Sequence, residues 1–326
     1  MAFRLCTIGC GGQSRTAHGP SHARYAREHP DVELAACCDL NGDLAERYRT
    51  QFGYARAYTD LDAMLAAGRP DAIFLIVPVE RTASLGARLL ARGLPLLLEK
   101  PPGLTLAECD QLLAAAGDTP HQVAFNRRFA PLIREAGRRR PAGLQHVRYE
   151  MIRVNRRDPD FSTTAVHGLD AVRFLADSDY RRVRFHFQPL PQFGPTVANA
   201  YLDAELTSGA TAHLAFCPVA GAVIERATLH GHGSTILVDI PMWNGHDGRG
   251  RLVVSESGAV TGDWPGTAFS DGPAMFEESG FYAETASFLD DLRAGRRPAC
   301  NLAATRQSVA VMEAYRERRT EFVAQG

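Results

Sequence analysis

The sequence predicts an α/β chain in two parts. A doubly wound parallel sheet occupies residues 1–123, and an α+β part, whose mostly antiparallel sheet keeps one face open, occupies residues 124–326. Three observations carry that prediction. Short apolar runs alternate with helix-length amphipathic segments as far as Phe125, the order of repeated β-α-β units. The first two runs enclose a glycine turn, Gly9-Cys10-Gly11-Gly12-Gln13-Ser14, and the second ends on an acid, Asp39. Beyond Asn126 the pattern shifts to period-two alternation, as in Ala200-Tyr201-Leu202-Asp203-Ala204-Glu205-Leu206, which suits strands with one side in a core.

In chain order, residues 3–8 read as a buried strand. Residues 17–29 read as mainly helical, although His18-Gly19-Pro20 argues against one clean helix. Strands are expected at 32–38, 72–77 (closed by Pro78), 94–98 and 122–125, with helices at 44–52, 61–67, 81–92 and 106–116 between them. Each crossover then joins parallel neighbours, so helices cover both faces of the sheet. In the second part, helices are expected at 127–139, 163–175, 282–293 and 303–316. A long strand covers 144–154, and several more follow between 182 and 255, with a hairpin turn at Gly231-His232-Gly233.

The glycine turn has the layout of a Rossmann dinucleotide site. Gly9 makes the tight turn, Gly11 lets the backbone approach a pyrophosphate, and the following helix N-terminus offers N–H groups and positive dipole. Asp39 is placed to accept hydrogen bonds from ribose hydroxyls. Its carboxylate would repel a 2'-phosphate, and Leu40 and Asn41 offer no cation to offset it, so NAD is expected over NADP. Two departures stand out: Ser14 replaces the usual third glycine, and Asp39 lies further along the chain than the common spacing. The alternative is a glycine loop of purely structural purpose.

Lys100 is the only lysine among the 36 Lys and Arg residues. In a chain that uses arginine wherever a solvated charge suffices, the exception suggests a place where arginine will not serve. An ammonium can shift its pKa and aim three donors at one oxygen, and a guanidinium cannot lose its proton. Lys100 follows a buried-strand run and precedes Pro101-Pro102, so it stands at the carboxyl end of a parallel strand, where open α/β sheets place their ligands. The bland alternative is an exposed lysine.

Together these marks resemble the Gfo/Idh/MocA family of sugar and polyol oxidoreductases. They are Gly9-x-Gly11-Gly12 with Asp39, Glu99-Lys100-Pro101, Phe125-Asn126-Arg127-Arg128-Phe129-x-Pro131, His167-x-x-Asp170, and Gly280-Phe281-Tyr282-x-Glu284 with Phe288-Leu289. The resemblance implies a nicotinamide cofactor, hydride exchange at a carbon bearing hydroxyl or carbonyl, and a sheet domain used for oligomerisation. It puts Gly9, Gly11, Gly12, Gln13, Asp39, Pro78, Glu99 and Lys100 at the cofactor. Lys100, Asn126, Arg127, Thr163 and His167 fall at a polyhydroxy substrate, with Lys100 and His167 as the catalytic pair. The chain departs from the family pattern at Thr163, where an Asp is usual, and at Thr82, where a His is frequent.

The chemistry asks for such groups on its own account. Oxidation of a secondary alcohol needs a base for the hydroxyl proton and a cation or donor for the growing alkoxide. His167 suits the first task and Lys100 the second. On a helix, Thr163, His167 and Asp170 share one face, so Asp170 either orients the imidazole or pairs with an arginine such as Arg173. Asn126 and Arg127 are read as substrate or nicotinamide contacts, with Arg127 and Arg128 alternatively read as domain-interface ion pairs. Arg153, Asn155, Arg156 and Arg157 read as a solvated charge run, with an anionic substrate group as the alternative. Cys10 reads as a packing residue.

Net charge is -1, and no basic stretch interleaves with aromatics, so neither nucleic acid nor a membrane surface is an expected partner. No leader and no spanning apolar run is apparent, which gives a cytoplasmic expectation. Seven cysteines without a C-x-x-C pair point to reduced thiols, and the scattered histidines to no metal site. A homodimer or homotetramer is expected, on the reasoning that the open face exposes Tyr201, Leu206 and Leu214. Two rival functions stay open: a cofactor-binding regulatory or structural protein without turnover, and a redox-assisted lyase or epimerase with tightly held NAD.

Overall fold

The structure, a computed structural model, describes residues 2–158 and 160–325. Its elements run β1 (Phe3–Ile8), a π-helical turn (Ser14–His18), α1 (Gly19–Glu28), β2 (Val32–Cys38), α2 (Gly42–Phe52), β3 (Arg56–Tyr58) and α3 (Leu61–Gly68). They continue with β4 (Ala72–Leu75), α4 (Val79–Leu90), β5 (Leu96–Glu99), α5 (Leu106–Ala116) and β6 (His121–Ala124). Next come a short 3-10 turn (Asn126–Phe129), α6 (Pro131–Arg138), β7 (Leu144–Ile152), α7 (Ser162–Ala176), β8 (Tyr180–Pro189), β9 (Ala198–Leu206), β10 (Thr211–Cys217) and β11 (Ile224–Gly231). The chain closes with β12 (Ser234–Asp239), β13 (Arg251–Glu256), β14 (Ala259–Pro265), α8 (Met275–Glu278), α9 (Phe281–Arg293), α10 (Leu302–Arg316) and β15 (Glu321–Val323).

Two compact units emerge: residues 1–125 with 281–306, and residues 126–280 with 307–326. The single division expected near residue 124 therefore needs correction, because α9 and the start of α10 return to the first unit. Packing explains the return. Tyr25 on α1 donates to Asp290 at 2.5 Å, Arg293 reaches Asp31 at 2.7 Å, and the Phe288 ring sits edge-on to Phe74 at 5.6 Å. The Gln122 amide also donates to the Glu284 carbonyl at 3.2 Å. An apolar helix face buries where it finds a matching surface, and periodicity alone does not say where that is.

In the first unit six parallel strands lie in the order β3-β2-β1-β4-β5-β6, the doubly wound Rossmann arrangement with its switch point between β1 and β4. The strands read as near-continuous apolar runs because helices cover both faces: Leu5, Ile73, Phe74, Leu97 and Val123 are fully buried.

The second unit is built on a nine-stranded sheet, β14-β13-β12-β11-β7-β10-β9-β8-β15. All its neighbours pair antiparallel except β7 and β10. Burial alternates along β9, and the parity corrects an expectation: Leu206 and Leu214 face the core, while the open face carries Asn199, Tyr201, Asp203 and Glu205. That open face is polar. Asp203 accepts from His213 on the neighbouring strand at 2.8 Å, and the His146 and His230 rings stack at 6.4 Å.

Candidate functional site

In the first unit the glycine turn follows β1 directly. Gly9 has φ +91, and a Cβ there would lie 1.9 Å from the Ile76 carbonyl oxygen, so both backbone conformation and the neighbouring strand demand glycine. At Gly11 and Gly12 an added Cβ would meet nothing within 4 Å, so the turn borders open space. Asp39 is fixed from two sides: the Cys10 N–H donates to one oxygen at 2.8 Å and the Asn41 N–H to the other at 2.9 Å. Each oxygen keeps lone pairs for further donors.

A cavity of about 590 Å³ opens at this turn; among its walls are Gly9, Gly11, Asp39, Leu40, Val77, Pro78 and Arg81. Its size is that of a small-molecule or cofactor site. Gly9, Gly11, Asp39 and Pro78 are thus brought together as the sequence suggested, whereas Gly12, Gln13, Glu99 and Lys100 are not among the cavity's walls. Leu40, 90% exposed, was read only as offering no cation, yet it supplies an apolar wall beside Asp39. Space at Gly11 and Gly12, a glycine-only turn at the switch point and an anchored carboxylate fit the phosphates and ribose of a dinucleotide. The Cys10 thiol is pushed far above its ordinary value by sharing a hydrogen bond with Cys37 and by burial, which suits packing and not nucleophilic attack.

At the end of β5, Glu99 is buried and both its oxygens are engaged inside the protein. His18 meets Oε1 through Nε2 at 2.9 Å, and the Lys100 N–H donates to Oε2 at 2.8 Å. Glu99 was expected at the cofactor; in the structure its oxygens support the strand end. Burial alone would raise this carboxyl, but the His18 hydrogen bond and charge, with Lys100 nearby, hold it below its ordinary value. Lys100 is half-buried directly after the strand, and a cis peptide bond joins it to Pro101.

His18 is the residue that sequence reasoning passed over. The π-helical turn places it, and so explains the long spacing from Gly9 to Asp39: a wider turn absorbs extra chain before α1 begins. A second histidine one turn on, His22, was the available signal.

In the second unit α7 carries Thr163, His167 and Asp170. His167 is 8% exposed, and the Thr163 hydroxyl donates to the Asp160 carbonyl at 3.4 Å. Asp170 does not serve His167 in the manner considered. It is fully buried and accepts two hydrogen bonds from Arg128 at 2.7 Å and one from Ser308 at 2.8 Å, with Arg173 also at 3.8 Å, so the arginine-pairing alternative holds, with Arg128 as the nearer partner.

Asn126 and Arg127, expected at the substrate, are likewise committed to structure. The Asn126 amide donates to the Ser279 carbonyl at 2.8 Å and its oxygen accepts from Arg127 at 3.1 Å. Arg127 clamps Glu225 through two bonds of 3.0 Å. Arg153 also donates to Glu225, as does the Tyr149 hydroxyl. Arg153 therefore leaves the solvated charge run for a buried cluster. Glu225 is fully buried, which would raise its carboxyl, but the two guanidinium groups hold it down at about 2.

All seven cysteines are free thiols. Among the described residues no group of three His, Cys, Asp or Glu is arranged to hold a metal, and no helix is long and apolar enough to cross a membrane.

Comparison with known proteins agrees with this geometry. Residues 3–126 match the family described as oxidoreductase family, NAD-binding Rossmann fold, the Gfo/Idh/MocA profile. D-apiose dehydrogenase of Paraburkholderia graminis is 30% identical over 42% of this chain and 36% of its own length. Inositol 2-dehydrogenase of Paracoccus denitrificans is 26% identical over 81% of each chain. The match to D-apiose dehydrogenase, and those to the Rhizobium meliloti rhizopine catabolism protein MocA and inositol 2-dehydrogenase, span 36%, 40% and 55% of those relatives, less than two thirds in each case. A solved dehydrogenase from Chromobacterium violaceum superposes with a TM-score of 0.81 at 22% identity, covering 96% of this chain and 94% of its own, and so shares the fold. With the Rossmann order, the glycine turn and the Glu99-Lys100-Pro101 strand end in place, residues 3–126 match the NAD-binding Rossmann fold of the Gfo/Idh/MocA oxidoreductase family.

Proposed function

We propose that this chain is an NAD-dependent dehydrogenase or reductase that exchanges a hydride with a CH–OH or carbonyl carbon of a sugar, cyclitol or related polyhydroxy compound. The observation that carries the reading is the cavity where Gly9, Gly11 and Asp39 meet, a cradle for phosphate and ribose in a family described as NAD-binding. The anchored Asp39 carboxylate favours the free 2'-hydroxyl of NAD over the phosphate of NADP. Bound there, the nicotinamide would supply or accept the hydride.

The chain's own groups would do the rest. Lys100 would steady the developing alkoxide through charge and hydrogen bonding, and His167 would carry the hydroxyl proton. Thr163, in the place of the family's usual Asp, would be limited to a hydrogen bond to substrate or to the ring. The named activities of the relatives, on apiose and inositol, support the polyhydroxy class. We further propose a cytoplasmic homo-oligomer, dimer or tetramer, joined through the open face of the second unit's sheet.

The test is a panel of aldoses, inositols and their keto forms, assayed by NADH fluorescence with NAD and NADP offered separately. Turnover with NAD on at least one polyol is expected. Binding of NAD without turnover on any of them would favour a regulatory protein. Cofactor that co-purifies and is recycled in place would favour the lyase or epimerase reading.

A further inference from the structure

The pair formed by His18 and Glu99 has no part in the reading above, yet it is built as a support for Lys100. His18 is fully buried, with the Phe281 and Phe74 rings edge-on at 5.2 and 6.3 Å. Its Nδ1 has no hydrogen-bond partner among the described residues. Nε2 therefore makes the ring's one hydrogen bond, to Glu99. The other oxygen of that carboxylate takes the backbone N–H of Lys100. An ionised carboxylate can only accept, so the proton lies on Nε2 of His18. The titratable groups beside His18 are Glu99 at the end of β5 and His22 on α1, whose protonation burial and the His18 charge suppress.

We propose that His18 is a positioning residue: by donating Nε2–H to Glu99 it fixes the carboxylate that holds the Lys100 backbone, and so sets where the only lysine of the chain presents its ammonium. The proposal rests on the dehydrogenase reading for its catalytic consequence, but not for the link itself. A supporting group one bond removed from a catalytic one commonly matters about 10- to 100-fold, because small misplacements at the reacting atoms are expensive.

The experiment compares His18→Phe, which keeps a ring without the donor, with His18→Gln, whose amide returns an N–H near the Nε2 position. Two readouts are taken. Steady-state kinetics should show kcat lowered about 10- to 100-fold in His18→Phe with cofactor affinity within a few-fold, and most of that loss recovered in His18→Gln. The modification rate of Lys100 by an amine-directed reagent, followed by mass spectrometry against pH, should change in His18→Phe and stay near the unmodified value in His18→Gln. No other lysine competes for the reagent.

If the unmodified protein turns over no polyol, the dehydrogenase reading falls and the labelling arm alone decides the link. A wild-type labelling profile in His18→Phe, or a His18→Gln variant as perturbed as His18→Phe, would overturn the proposal. Should His18→Phe fail to fold, Glu99→Gln tests the same link, since His18 and the Lys100 N–H meet different oxygens and one of these becomes an NH2 group that cannot accept. The same shift in Lys100 labelling is expected there, and an unchanged profile would again refute it.

Discussion

Arg127 separates two accounts of the second unit, because the sequence pointed to substrate and the structure buries it against Glu225. Glu225 is fully enclosed and is served by Arg127, Arg153 and Tyr149. Replacing Glu225 by Gln leaves two guanidinium groups inside without a counter-charge, and removing one partner of a buried pair costs about 3–5 kcal/mol. Arg127→Met should cost somewhat less, since Arg153 and Tyr149 still serve the carboxylate. In a unit of this size each kcal/mol lowers Tm by about 2–4 °C, so Glu225→Gln should lower it by roughly 6–20 °C.

The pH dependence follows from the same cluster. A carboxyl held at about 2 where 4.5 is ordinary corresponds to about 3 kcal/mol of preference for the ionised, folded form. The folded value is depressed, so this contribution is fully present above the ordinary carboxylate range and is lost as pH falls from about 4.5 towards 2. Thermal and urea melts of both variants and the unmodified protein, at neutral pH and on acid titration, measure all of this. An Arg127→Met protein with an unchanged melting midpoint and a raised KM would return Arg127 to the substrate and refute the reasoning.

Asp39→Ala should weaken NAD binding much more than NADP binding, measured by quenching of intrinsic fluorescence; tighter NADP binding by the unmodified protein would contradict the role of Asp39. Gly9→Ala forces a Cβ against the Ile76 carbonyl at a φ of +91, so it should unfold the turn or abolish cofactor binding, whereas Gly12→Ala, with open space around it, should fold normally and lose only part of its affinity. Sedimentation at micromolar concentration should report a dimer or tetramer that weakens with salt, because the open sheet face is polar and charged; a monomer, or an association indifferent to salt, would count against that surface.

What was legible in the sequence was local. Strand and helix periods, the turn chemistry from Gly9 to Gln13, the acid after β2 and the strand stop at Pro101-Pro102 are written in neighbouring residues, and they gave the Rossmann order. The edge strands β3, β14 and β15 were not anticipated, being short or largely exposed and so lacking a core-facing run. Partners distant in sequence were also hidden. Arg127 and Glu225 lie 98 positions apart, and no motif around Arg127 distinguishes a buried clamp from a substrate hand. The parity of β9 and β10 was readable in principle, but which parity faces the core depends on where α7 packs. His18 was masked because a π-helical turn breaks the 3.6-residue period by which its inward direction would be inferred.

The central claim, that one lysine at the end of β5 serves hydride chemistry on a polyol, is tested most directly by Lys100→Arg. The substitution keeps the positive charge and changes its shape, reach and proton affinity. With NAD and the best substrate from the polyol panel, kcat is predicted to fall about a hundredfold or more while NAD affinity stays within a few-fold, the size of loss expected when a positioned electrostatic group is removed. A Lys100→Arg protein that keeps most of its turnover would show that any cation suffices there, and would contradict the account.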